Sequence, residues 1–160
     1  MTKEMKKFLS LLLLFSLAYL LAASSTVAQD QPIYVVIINA ANDEEVKRDA
    51  KTVDKMFMKK EKRWTNGERV VPVNQSDNSD VRIAFTEDIH LGKKVKAIEA
   101  FWQKQLFSGR DAPPEKMSND EEVIIYVASN PGAVGYVSAS AQLPDTVKIL
   151  EIDMSTAKKK

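Results

Sequence analysis

The chain has 160 residues, 28 % of them charged, with 23 basic and 22 acidic side chains and no cysteine. The missing thiols exclude disulfides, thiolate nucleophiles, Cys-based metal sites and a lipid anchor on an N-terminal cysteine. The near balance of charge, with no basic run longer than the terminal Lys158-Lys159-Lys160, leaves no electrostatic footprint for nucleic acid.

The chain opens with Lys3, Lys6 and Lys7, continues through an apolar run from Phe8 to Ala23, and reaches the small-residue sequence Ser24-Ser25-Thr26-Val27-Ala28. That order reads as a signal peptide cut near Ala28, with Thr26 and Ala28 at the small-residue positions and polar sequence from Gln29. Retention as a membrane anchor is the competing reading, because the apolar run approaches the roughly 17 to 20 residues that cross a bilayer. Cleavage implies export to the periplasm as a non-lipidated protein with no stable membrane span. The expected organisation is a signal peptide over 1–28 and one α/β domain over 29–160, since about 130 residues build one hydrophobic core. Cleavage removes three lysines and one glutamate and leaves 20 basic and 21 acidic residues.

The run Ile33 to Ile38 is continuously apolar and β-branched, which predicts a strand covered on both faces. Asn39 to Asn42 predicts a turn, and Asp43, Glu44 and Glu45 fit a helix N-terminus, with Val46, Ala50, Val53, Met56 and Phe57 following at helical spacing. Trp64-Thr65-Asn66-Gly67 predicts a tight turn. A strand follows over Arg69 to Val73, in which Pro72 cannot donate to a ladder and so marks an edge or a strand end. The polar loop Asn74 to Asp80 leads into a helix over Val81 to Ile89, with Ser79 or Asp80 as N-cap. Val95, Ile98, Phe101, Trp102 and Leu106 form one helical stripe that stops before Gly109 and Pro113-Pro114. Val123 to Val127 has strand propensity, whereas Ser118 with Glu121 makes a capping-box pattern and Asn130-Pro131-Gly132 a helix stop. Short strands over Val134 to Ser138 and Val147 to Ile152 complete the set.

Catalytic groups are scarce. His90 is the only histidine; near the end of a predicted helix it reads as a surface or helix-terminal residue rather than a triad member. Asp77 and Asp80 lie close together, but Asp77-Asn78-Ser79-Asp80 lacks the glycine and terminal glutamate of a calcium loop, so no metal site is assigned. Ser76 and Ser79 have no base nearby in sequence and read as helix caps rather than nucleophiles. The loop Gln75 to Asp80 has one chemical aptitude. Hydroxyls and free amides at a helix N-terminus can hold an oxyanion without catalysis, although an ordinary polar βα loop has the same composition.

Several pieces of the sequence resemble the phosphate-binding periplasmic proteins of ABC transporters: Phe57 with Trp64-x-Asn66-Gly67, Val70-x-Pro72-Val73, Gln75-Ser76-Asp77-Asn78-Ser79, Phe85, and Asn130-Pro131-Gly132-Ala133-Val134-Gly135-Tyr136-Val137. The segment Pro131 to Val137 is the most specific, and in the family it follows a helix, which favours helix over Glu121 to Ala128. The resemblance implies a mixed sheet flanked by helices, equal to a single lobe of a type II periplasmic binding protein; full-length members have two such lobes. The family's arginine, serine, glycine and threonine phosphate ligands fall on Gln75, Ser79, Asp80 and Val81, of which Ser79 keeps the family residue. A carboxylate at position 80 opposes an anion, and Gln75 supplies no charged donor.

The resemblance implies a periplasmic solute-binding-like protein, nominally binding phosphate or another oxyanion for an ABC permease, not an enzyme and without a cofactor. The ligand site is expected at Ser76, Asn78, Ser79 and Asp80. The alternative is a lobe without ligand that acts as an interaction or accessory module on another envelope protein, motivated by the missing lobe and by Gln75, Asp80 and Val81. A hydrolase has no support beyond scattered carboxylates.

Overall fold

The predicted central strand is β1 (Tyr34–Asn39), hydrogen-bonded on both sides in a six-stranded mixed sheet. The computed structural model describes residues 32–43 and 47–156, so the segment expected to be a signal peptide and the terminal lysines lie outside the described residues. The other strands are β2 (Lys47–Asp49), β3 (Val71–Gln75), β4 (Glu115–Met117), β5 (Ala133–Ser138) and β6 (Val147–Asp153), in the order β2-β6-β1-β5-β3-β4. β1 runs antiparallel to β5 and β6, while the β3–β5, β3–β4 and β2–β6 pairs are parallel. Four helices are described: α1 (Ala50–Phe57), α2 (Asp80–Ile89), α3 (Val95–Phe107) and α4 (Asp120–Ser129).

Alternation along β1 and β5 divides the core. Tyr34, Val36, Ile38, Val134 and Tyr136 face α1 and α2, packing on Val53, Met56, Phe57, Phe85 and Ile89. Ile37, Ala133 and Val137 face the other way, onto Val123 and Val127 of α4. Side chains of successive strand residues point to opposite faces, so a continuously apolar strand serves two layers at once. α4 comes very close to the sheet at Gly135: a Cβ there would lie 2.6 Å from Val123 Cγ1 and 2.9 Å from Val73 Cγ2. From Pro32 onward these elements form one compact unit.

Several expectations need correction. The helix expected from Asp43 begins at Ala50, after the short strand β2, which pairs with Glu151 to Asp153 of β6. Asp49 is the cap, its carboxylate accepting from Thr52 N at 3.0 Å and from Thr52 Oγ1 at 2.6 Å. That side chain sits one turn ahead of the buried Val53-Met56-Phe57 stripe, where a cap meets the apolar face; Glu44, Glu45 and Val46 of the expected helix lie outside the described residues. Pro72 is not on an edge strand, because β3 has neighbours on both sides. It is near the strand's start: the ladder to β4 begins only at Val73, so the missing N–H of Pro72 removes no bond from it. Asn74 and Gln75, expected in a loop, complete β3. The segment 121–128 is helical, within α4, but its cap is Asn119, whose side chain accepts from Glu122 N at 2.9 Å. Glu122 Oε2 in turn accepts from Ser118 N at 2.7 Å, so the box is shifted by one residue.

Candidate functional site

The sequence-predicted site lies where β3 ends and α2 begins. Gln75, the last residue of β3, is buried, and the exposed Ser76 and Asn78 and half-buried Asp77 and Ser79 make the turn into α2. Ser79 is the N-cap. Its hydroxyl donates to Gln75 Oε1 at 2.8 Å and accepts from Arg82 N at 3.4 Å, and Ser79 N donates to Ser76 O at 3.0 Å. Gln75 Nε2 donates to Asp120 Oδ1 at 2.5 Å and to Tyr136 O at 3.1 Å. Asp120 Oδ1 also accepts from Ser138 N at 3.1 Å. The turn is therefore tied to β5 and to the N-terminus of α4, and the Ser79 hydroxyl is engaged within the protein. The first-turn amides of Asp80 and Val81 have no acceptor within their own helix, which is the general condition of a helix start.

Beneath this crest is a buried arginine that sequence reasoning did not single out. Arg82 is 0 % exposed. Its Nη1 donates to Tyr136 Oη at 3.0 Å and its Nη2 to Glu99 Oε1 at 3.2 Å. Tyr136 Oη also accepts from Gln75 N and donates to Asn74 Oδ1, both at 3.2 Å. Burial pushes the Tyr136 phenol above its usual pKa despite the opposing pull of Arg82. The ring stacks on Phe85 at 3.9 Å between centroids and an interplanar angle of 9°. Glu99 Oε2 meets Lys116 Nζ at 2.8 Å, which reaches Asp77 Oδ2 at 2.7 Å. Burial pulls the Lys116 pKa down, but its bonds to Asp77 and Glu99 outweigh that and raise it. Alternating charges thus run Asp77, Lys116, Glu99, Arg82, and a buried charge persists only when paired in this way. Arg82 Nε and Asp77 Oδ1 are buried without a hydrogen-bond partner among the described residues. Arg82 follows the cap by three residues, in the first turn of an amphipathic helix, where sequence alone reads it as solvent-facing.

The predicted ligand residues are thus brought together, but in differing states. Ser76 and Asn78 are exposed on the turn, Asp80 is exposed on the first turn of α2, and Ser79 faces inward to Gln75. Asp77 and Asn78 line one wall of an open cleft of about 490 Å³ whose other wall is the start of α3, with Lys94, Val95 and Lys96. Asp80 in the first turn of α2 and Glu121 and Glu122 in the first turn of α4 are exposed, as are Lys94 and Lys96 on the cleft wall, while Asp77 and Asp120 are engaged by Lys116 and Gln75. Among the described residues no group of three or more acidic or histidine side chains is placed to hold a metal ion. His90 caps α2 as expected, but it is only 2 % exposed rather than on the surface; its Nδ1 lies 2.7 Å from Asp54 Oδ1.

This arrangement has the fold of one lobe of a periplasmic substrate-binding protein. Solved structures similar to it include a phosphate ABC transporter substrate-binding protein from Clostridium perfringens with bound phosphate (TM-score 0.58, 18 % identity, 76 % of this chain and 45 % of that one). An ABC-type phosphate transport receptor from Vibrio cholerae is similar at TM-score 0.57 and 15 % identity, over 74 % of this chain and 45 % of its own. PstS from Borrelia burgdorferi is similar at TM-score 0.56 and 11 % identity, over 76 % and 47 %. The chain spans a little under half the length of these proteins. No family model matches the sequence, and no curated protein matches it. Among the described residues no helix is long and apolar enough to cross a membrane.

Proposed function

We propose that the chain forms an exported solute-binding lobe of the phosphate-transport kind, not an enzyme, which offers the Ser76–Asp80 turn to phosphate or a similar small oxyanion in the periplasm. The observation that carries this reading is the β3–turn–α2 crest with its Ser79 cap, set in a fold shared with a structure solved with phosphate. Backbone amides at a helix start attract anions through unpaired donors and the helix dipole. An ABC permease is the partner such a role implies. The test is isothermal titration of inorganic phosphate into the chain beginning at Gln29. Saturable heat at millimolar ligand, lost when Asn78 and Ser79 are replaced by alanine, supports the reading, and absence of heat at that concentration removes it.

One observation favours a second reading. The Ser79 hydroxyl and the Gln75 amide are engaged within the protein, through the Ser79–Gln75–Asp120 bonds, and the turn carries a carboxylate at position 80. On this reading the lobe holds no anion and acts as an interaction module on another envelope protein. A silent titration together with recovery of a stoichiometric envelope partner would select it.

A further inference from the structure

The end of the domain opposite the crest, where the chain enters β3, is rich in cations. Between Lys55 and Arg69 there are six cationic side chains against two carboxylates, Glu61 and Glu68. Lys60, Lys62 and Arg69 are exposed and, with Arg110, take part in no ion pair among the described residues. A bridge between Arg63 and Arg69, with Val70 N donating to Lys62 O at 3.0 Å, folds Arg69 back beside the 60–63 segment. The C-terminal end of α3 is held at the same place. Lys59 Nζ donates to Pro113 O at 3.4 Å and lies 3.8 Å from Asp111, and Lys62, Arg69 and Asp111 line one small cleft.

This joins the cationic surface to two apolar side chains. Leu106 and Phe107, in the last turn of α3, are 59 % and 89 % exposed. The helix then stops at Ser108, and Gly109, at φ +66°, turns the chain toward Arg110. An 89 % exposed Phe side chain leaves most of its apolar surface in water, and with Arg110 three residues on and the cationic surface close by it can serve as an apolar anchor beside cations. The surrounding cations Lys60, Lys62, Arg69 and Arg110 are exposed, long-chained and held by no carboxylate partner among the described residues. Those features suit a deformable headgroup layer, in which apolar side chains enter the acyl boundary and Lys and Arg meet phosphates.

We propose that this pole, formed by Lys60, Lys62, Arg69 and Arg110 around Phe107 and Leu106, rests on the surface of an anionic phospholipid bilayer, leaving the crest turned to solution. The inference stands independently of whether the crest binds an anion. It is tested by cosedimentation of the chain beginning at Gln29 with phosphatidylcholine vesicles, pure or containing about a quarter phosphatidylglycerol, at low salt and in about 0.5 M salt. Binding to the anionic vesicles alone is expected, weakened by salt. The pair Lys62→Glu with Arg69→Glu should reduce partitioning at least twentyfold, at about fivefold per cation lost, and Phe107→Ser should reduce it several-fold, with unchanged thermal melts for both variants. The C-terminal lysines are common to all forms, so differences between variants report on the pole. Equal binding to neutral vesicles, or unchanged binding by the variants, overturns the proposal. Retention on immobilised polyglutamate without vesicle binding also overturns it, in favour of an acidic protein.

Discussion

The two ends of β3 are built on opposite plans. At its C-terminal end, polar groups are buried and paired through several layers: Ser79 to Gln75, Gln75 to Asp120, and Arg82 to Tyr136 and Glu99. At its N-terminal end, the charged side chains of Lys60, Lys62 and Arg69 are exposed, and the order comes from backbone and ring contacts. There Trp64 Nε1 and Val71 N both donate to Gly132 O, at 2.9 Å each. A Cβ on Gly132 would lie 2.0 Å from Arg69 O, so only glycine lets the hairpin approach so closely. The contrast teaches that charge alone does not locate a structural site. The same residue type, an arginine, is a keystone where it is desolvated and paired, and almost free of energetic consequence where it is hydrated.

The sharpest way to break this contrast is to remove one arginine from each end. Arg82→Met removes the donor to Glu99 Oε1 and one of the two donors to Tyr136 Oη, while Lys116 still pairs with Glu99 and Gln75 N with the phenol, and a loss of about 1 to 3 kcal/mol in urea unfolding is expected. Arg69→Met, whose side chain is hydrated, should fall within about 0.5 kcal/mol of the parent. Equal losses would mean that the buried network is not what holds the crest.

The crest can also be changed chemically. Gln75→Arg together with Asp80→Gly adds a charged donor beside Asp120 and removes an opposing carboxylate from the turn. A charge-assisted bond contributes about 1.5 to 3 kcal/mol, so phosphate affinity should rise at least tenfold in calorimetric titration. No gain would show that the turn does not present its donors to solvent. A smaller effect is expected for Ser79→Ala, which removes the cap of α2 and the hydroxyl bond to Gln75, at about 1 kcal/mol in thermal or urea unfolding.

The smallest effect concerns acid. Hydrogen bonds from Thr52 hold the Asp49 carboxyl below its usual value of 3.8. A carboxylate whose pKa is lower in the folded state contributes stability that is present above that usual value and is lost as pH falls through the folded one. Asp49→Asn should therefore flatten part of the decline in stability below about pH 4 in acid unfolding, and leave the slope near neutrality unchanged. Neither end of β3 takes part, so this variant is also a control on the others.

How far the sequence foretells these regions differs by element. β1 is legible from its uninterrupted β-branched run, whereas α4 is not decided by its own residues: strand propensity over Val123 to Val127 competes with a capping pattern and an Asn130-Pro131-Gly132 stop, and the family resemblance of the segment after it tips the reading to helix. The Ser79 cap is legible from local sequence. β2 and β4, of three residues each, are not, since Lys47-Arg48-Asp49 and Glu115-Lys116-Met117 carry no apolar alternation and owe their pairing to neighbours distant in the chain. The engagement of Ser79 with Gln75, and of Gln75 with Asp120, is equally invisible. It requires residues 45 positions apart to meet, and a polar residue that bonds inward reads in sequence like one that faces solvent. Arg82 is the extreme case, a charge on an apolar helix face whose partners come from α3 and β5.

The central claim is that an oxyanion would be received at the turn between β3 and α2, despite the greater positive charge at the other end of the same strand. Backbone amide shifts recorded by NMR during a titration with phosphate test it directly. Saturable shifts from Ser76 to Arg82, with only gradual, unsaturated changes from Lys60 to Arg69, are predicted. Saturation confined to Lys60 to Arg69, with the turn unmoved, would contradict the account.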